Sequence, residues 1–196
     1  MGDKVNTKSL ELASEPVSLE TGIGGMTFGK PELLTDEQAA RKQEALKFFQ
    51  SAYEAQMRRD LDEAVRFYKQ SIASYPTAEA HTFLGWTYSF MDRADEAIAE
   101  CYLAIAVDPD FGNPYNDIGA YLISKGDLIG AVEWLKRATT AKRYECYFYP
   151  HFNLGRIHEA GGKAFDALNE YKAAIDHNPG YKEALRAFRR LQSKLN

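Results

Sequence analysis

The feature that most constrains this chain is a set of small residues that return at one fixed series of intervals. Ala52, Gly85, Gly119 and Gly155 are 33, 34 and 36 residues apart. Ala64, Ala97, Ala131 and Ala167 follow the same three intervals, as do Ser71, Ala104, Ala138 and Ala174. Three positions sharing one series establish an internal repeat, and a repeat of this length is one supersecondary unit stacked on its neighbours. Small side chains at matched positions are where two helices can approach closely. Tyr68, Leu135 and Tyr171 are the larger residues expected to fill the wider spaces between hairpins.

Each unit reads as two helices. Apolar residues recur at helical spacing before the small residue and again after a short polar turn. Those turns are Arg58-Arg59-Asp60, Met91-Asp92-Arg93, Lys125-Gly126-Asp127 and Gly161-Gly162-Lys163. Pro76, Pro109 and Pro179 end three of the units, where a proline cannot continue the helix before it. Thr35 with Gln38 three residues on is a capping box, so the first helix should begin near Asp36 and run to about Arg58.

These residues resemble the tetratricopeptide repeat family, whose pattern runs aromatic, Leu-Gly, Tyr, Ala, aromatic, Ala, Pro. The second unit matches with Leu84-Gly85, Tyr88, Ala97, Ala104 and Pro109; the fourth with Leu154-Gly155, Ala167, Tyr171, Ala174 and Pro179. The third carries Tyr115, Ile118-Gly119, Ala131, Leu135 and Ala138, and the first Phe48, Ala52, Ala64, Tyr68 and Pro76. Ser51-Ala52 departs from Leu-Gly, Arg143 stands where the third unit lacks its proline, and two extra residues enter around Lys142 to Tyr149.

The resemblance implies an all-α fold, a right-handed superhelix (α-solenoid) of four hairpins at about 35–77, 78–111, 112–147 and 148–181. Residues 182–196 read as a capping helix, apolar at Ala184, Leu185, Phe188, Leu191 and Leu195 and basic on its other face. Residues 1–34, with five glycines and two prolines, read as a flexible N-terminal extension. Within it, Val17, Leu19, Ile23, Met26 and Phe28 are apolar groups suited to docking, in this molecule or in self-association through residues 17–28.

Chemistry is mostly excluded. Gly24 to Lys30 matches the core of a phosphate-binding loop, but Pro31 stands where a magnesium-binding Ser or Thr belongs, and no strand precedes it. His81 and His151 occupy equivalent repeat positions where packing explains them. His151 and His158 lack a third ligand for zinc. Cys101 falls in a core position and Cys146 in the insertion, neither beside an activating group. Arg156 and Glu159 read as a local ion pair. No catalytic residue, cofactor or metal site is expected.

A net charge of −4 gives no pull toward nucleic acid. No apolar run approaches the ~20 residues of a membrane span, and no secretory signal opens the chain, so a cytoplasmic setting is expected. If the family geometry holds, the first helices line a concave surface. The expected partner-binding residues are Phe49, Tyr53 and Met57, then Trp86 and Phe90, then Asn113, Asn116 and Ile123, then Tyr149, Phe152 and Arg156. Six of these are aromatic, unlike a solvated face, and large apolar side chains left uncovered mark binding surfaces.

Some family members grip a partner's terminal carboxylate through Lys, Asn and Arg. Phe49 and Tyr53 take the place of the opening Lys and Asn, so that mode is disfavoured. The expected function is a non-enzymatic adaptor, assembly factor or scaffold holding a protein or peptide segment. The alternative is a permanent subunit of a larger complex, or an oligomer assembled through the N-terminal tail.

Overall fold

The computed structural model describes residues 34–195. The Gly24–Lys30 segment and the apolar groups at 17–28 lie outside them. Nine helices are present among the described residues: α1 (Asp36–Met57), α2 (Leu61–Ser74), α3 (Ala78–Phe90), α4 (Ala94–Val107), α5 (Asn113–Ser124), α6 (Leu128–Thr140), α7 (Phe148–Ala160), α8 (Ala164–His177) and α9 (Lys182–Leu195).

Local chemistry explains where these helices start and turn. The Thr35 hydroxyl accepts from the Gln38 amide at 3.2 Å, and the Gln38 side chain accepts from the Thr35 amide at 2.9 Å. This reciprocal cap satisfies two donors that the helix end leaves over, and Asp36 and Glu37 add negative charge at the positive end of the dipole. Asp60, Thr77 and Asp127 cap α2, α3 and α6 with a single bond each, their side-chain oxygens 3.2, 3.1 and 2.8 Å from backbone amides. Arg59, Asp92, Gly126 and Gly162 all have positive φ, at 65°, 59°, 84° and 72°. They are one repeat position: every hairpin reverses through a left-handed residue, and two of the four use glycine to do so.

The chain divides into two compact units, meeting between Pro114 and Tyr115. In the first, α1 pairs with α2 and α3 with α4, and α2 joins the two hairpins by packing on α3. Ala52, Ala64 and Ala97 have no exposed surface. A Cβ on Gly85 would come within 3.0 Å of the Ala97 carbonyl, so the helices meet almost backbone to backbone. The Ser71 hydroxyl donates to the Ala45 carbonyl at 2.8 Å, satisfying a polar group in this tight contact.

In the second unit α7 pairs with α8, α6 packs on α7, and α9 packs on α8. Leu135 and Tyr171 do more than fill the space between hairpins. Each lies against the glycine of its own hairpin, since a Cβ on Gly119 or Gly155 would fall 2.6 Å from their side-chain carbons. Leu135 also reaches Leu154 of the next hairpin, and Tyr171 reaches Phe152, Ala184 and Leu191. Burying each such leucine stabilises the stack by about 2 kcal/mol. The last helix covers α8 with Ala184, Ala187 and Leu191, while Leu195 stays 46% exposed. Within each unit the hairpins stack in chain order, the packing of a repeat solenoid.

Candidate functional site

In the first unit the structure brings the aromatic residues of α1 and α3 into one run of rings. Phe83 is its hub, with ring centroids 5.2 Å from Phe49, 5.9 Å from Tyr53, 6.1 Å from Tyr68 and 5.4 Å from Trp86. Trp86 continues to Phe90 at 6.3 Å, four residues on along the same helix face. Most of these pairs are edge-to-face, the arrangement that the ring quadrupole favours. The Arg59 guanidinium lies 5.4 Å from the Phe90 ring and closes the run with a cation. Phe49 is buried; Tyr53, Trp86 and Phe90 are half-buried; Met57, one helical turn beyond Tyr53, is 39% exposed.

Beneath the rings lies a small polar core. The buried Gln56 side chain accepts from the Tyr68 hydroxyl at 2.8 Å and from the Thr87 hydroxyl at 3.3 Å, tying α1, α2 and α3 together. Burial pushes the Tyr68 and Tyr53 phenols above their usual range.

The second unit carries its own cluster on α7. Phe148, Tyr149 and Phe152 gather around Tyr181, at 5.0, 5.6 and 5.2 Å. The Arg156 guanidinium sits 5.7 Å from the Phe152 ring and donates to the Asn153 carbonyl oxygen at 3.3 Å. Desolvation pulls its pKa down. The expected Arg156–Glu159 ion pair does not form. Glu159 instead accepts from the Tyr171 hydroxyl at 2.8 Å and from Arg190 of α9 at 2.6 Å.

Three expected residues have other roles or settings. Ile123 is buried against Leu135 and Leu154. Asn116 is buried and donates to Asp117 at 3.4 Å, and Asn113 is half-buried at the first position of α5. Asp117 is itself only 7% exposed. Burial pushes its carboxyl up to about 7, against the pull of the Asn116 amide.

Phe83 and Tyr181, both central to their clusters, were not among the residues expected from sequence. The repeat equivalents of Phe83 are Gln50, Asp117 and Asn153, so register alone places it outside the binding face. Its aromatic character was the available signal.

The tetratricopeptide repeat model matches residues 78–111, the hairpin of α3 and α4. The fold is that of tetratricopeptide-repeat proteins. It is similar to the crystal structure of MamA protein at TM-score 0.63 and 21% identity, covering 76% of this chain and 81% of that one. It is similar to pilF of Pseudomonas aeruginosa at TM-score 0.73 and 18% identity, covering 79% and 70%. It is also similar to YrrB, described as a TPR protein with an unusual peptide-binding site, at TM-score 0.59 and 19% identity, covering 81% and 84%. No curated protein sequence matches. Among the described residues no helix is long and apolar enough to cross a membrane.

The tetratricopeptide register also explains the histidines. His81 Nδ1 is 2.7 Å from Glu100, and His151 Nδ1 is 2.8 Å from Glu170. Both pairs span 19 residues. The same two positions hold stacked rings in the other hairpins, Phe48 on Phe67 at 6.5 Å and Tyr115 on Trp134 at 6.2 Å. Polar couples and ring stacks therefore alternate along the four tetratricopeptide hairpins. Packing alone, the reading for both histidines, is extended by a carboxylate partner on the second helix.

Proposed function

We propose that this chain is a non-catalytic binding module that holds an apolar or aromatic segment of a partner polypeptide against the ring run of its first unit. One observation carries the reading: Tyr53, Trp86, Phe90 and Met57 keep exposed surface although they adjoin the buried core of the unit. Rings fixed edge-to-face lose little freedom when a partner lands on them, so contact area converts to affinity at low entropic cost. Arg59 beside Phe90 adds a cation at one end, which favours a segment with an acidic residue next to its apolar anchors. The peptide-binding site ascribed to YrrB supports a peptide ligand for this fold. The role is that of an adaptor, assembly factor or scaffold.

Selection from a displayed peptide library against the full chain tests this directly. Selected peptides should carry Trp, Phe, Leu or Met. The Trp86→Ala and Phe90→Ala variants should lose their binding while keeping the wild-type far-ultraviolet helical signal. Undiminished binding to folded Trp86→Ala and Phe90→Ala proteins would remove the ring run as the site.

A further inference from the structure

The first hairpin carries a cavity of about 290 Å³, lined by Leu34, Ala39, Lys42, Leu46, Phe49 and Thr77. Its position in the array is what makes it informative. α3 and α7 each pack against the second helix of the hairpin before them, α2 and α6. α1 has no such neighbour among the described residues, and the end of a repeat array needs an element to cover its open face. Leu34, the first described residue, already lines the cavity, so the chain preceding it starts from the cavity rim.

Five residues lie between Phe28 and Leu34, a reach of up to about 20 Å when extended. Met26 and Phe28 are two apart, so in an extended stretch both side chains fall on one face, with Thr27 on the other. Gly25 and Gly29 flank them and allow the chain to turn in and out. A dry apolar cavity of roughly 150 Å³ accepts benzene. One of about 290 Å³ therefore has room for a phenyl ring and a thioether together.

We propose that residues 26–28 of the same chain fill this cavity and serve as the N-terminal cap of the array. Tethering through a short segment holds Phe28 at high effective concentration over its seat, which favours the chain's own residues over a second copy's. The cap would end beside Phe49, where the ring run begins, and so sets that boundary of the partner face. This inference stands apart from the peptide-binding reading, because its test involves no partner.

The test is photocrosslinking in the full chain with p-benzoylphenylalanine at position 28, followed by digestion and mass spectrometry. The expected adducts join position 28 to residues 34–49 within one chain, migrate as monomer, and disappear in Leu46→Glu. Ala39→Trp, which fills the cavity from an exposed position, should abolish them equally and guards against a Leu46→Glu protein that fails to fold. Adducts joining two chains would overturn the proposal in favour of exchange between copies. Adducts scattered without preference for residues 34–49, or unchanged in both variants, would overturn it outright.

Discussion

Asp117→Asn should stabilise this protein at neutral and alkaline pH and do nothing at acid pH. The native carboxyl is pushed from 3.8 up to about 7 by burial, while in the unfolded chain it returns to the lower value. The folded state thus holds its proton more tightly than the unfolded one. Native stability contributed by that proton is complete below pH ~4, and is lost as pH rises through about 7, after which the loss is constant. At about 1.4 kcal/mol per tenfold change in proton affinity, the gap between 3.8 and about 7 amounts to about 4 kcal/mol.

Asparagine keeps the shape and the acceptor for the Asn116 amide but carries no charge, so it should recover about 2–4 kcal/mol at pH 8. Urea denaturation of wild type and variant from pH 4 to pH 8 measures this. Trp134, stacked on Tyr115 in the same hairpin, offers a local fluorescence probe. Other titrating groups cancel in the difference between the two proteins. A difference that does not change with pH, or an asparagine variant that is the less stable at pH 8, would refute the reasoning.

Gly155→Ala should destabilise by roughly 1–3 kcal/mol, because the added carbon falls 2.6 Å from the Tyr171 ring; thermal melts of the variant check this. Glu159→Ala removes the acceptor of both Tyr171 and Arg190 and should cost about 1–2 kcal/mol, whereas Arg190→Ala should cost under about 1 kcal/mol, its guanidinium being largely in solvent. Thiol titration at neutral pH should find Cys146 slower than a free cysteine, since burial pushes its thiol up, and Cys101 silent until the chain is unfolded.

The hairpins were legible because helix–helix contact distance is written into single residues. A glycine or alanine is required wherever backbones meet, and that requirement recurs with the repeat. Thr35 and Gln38 announced the start of α1 for an equally local reason, since both capping bonds span three residues. What could not be read were contacts between elements far apart in sequence. Nothing near His81 announces Glu100, and Glu159 answers to Arg190, 31 residues on, rather than to the arginine beside it. Phe83 was overlooked because family register averages over repeats, and the other three hairpins hold polar residues there. Asn116 and Ile123 belong to a hairpin with a longer following connection. That segment brings the buried Tyr144 close to Asp117; burial first, and the Asp117 charge second, push its phenol up, so the third hairpin is more enclosed than its register implies.

Alternation between histidine–glutamate couples and stacked rings makes the hairpins parts of two makes. Trading α3 for α7 would still set a histidine against a glutamate on the facing helix. Trading α3 for α5 would set the Tyr115 phenol against Glu100 and leave His81 facing Trp134. Chimaeras cut at intervals of two hairpins should therefore fold with their couples matched, and those cut at intervals of one should carry a mismatch at each splice. A copying event that multiplied this array without repair would have had to take hairpins two at a time.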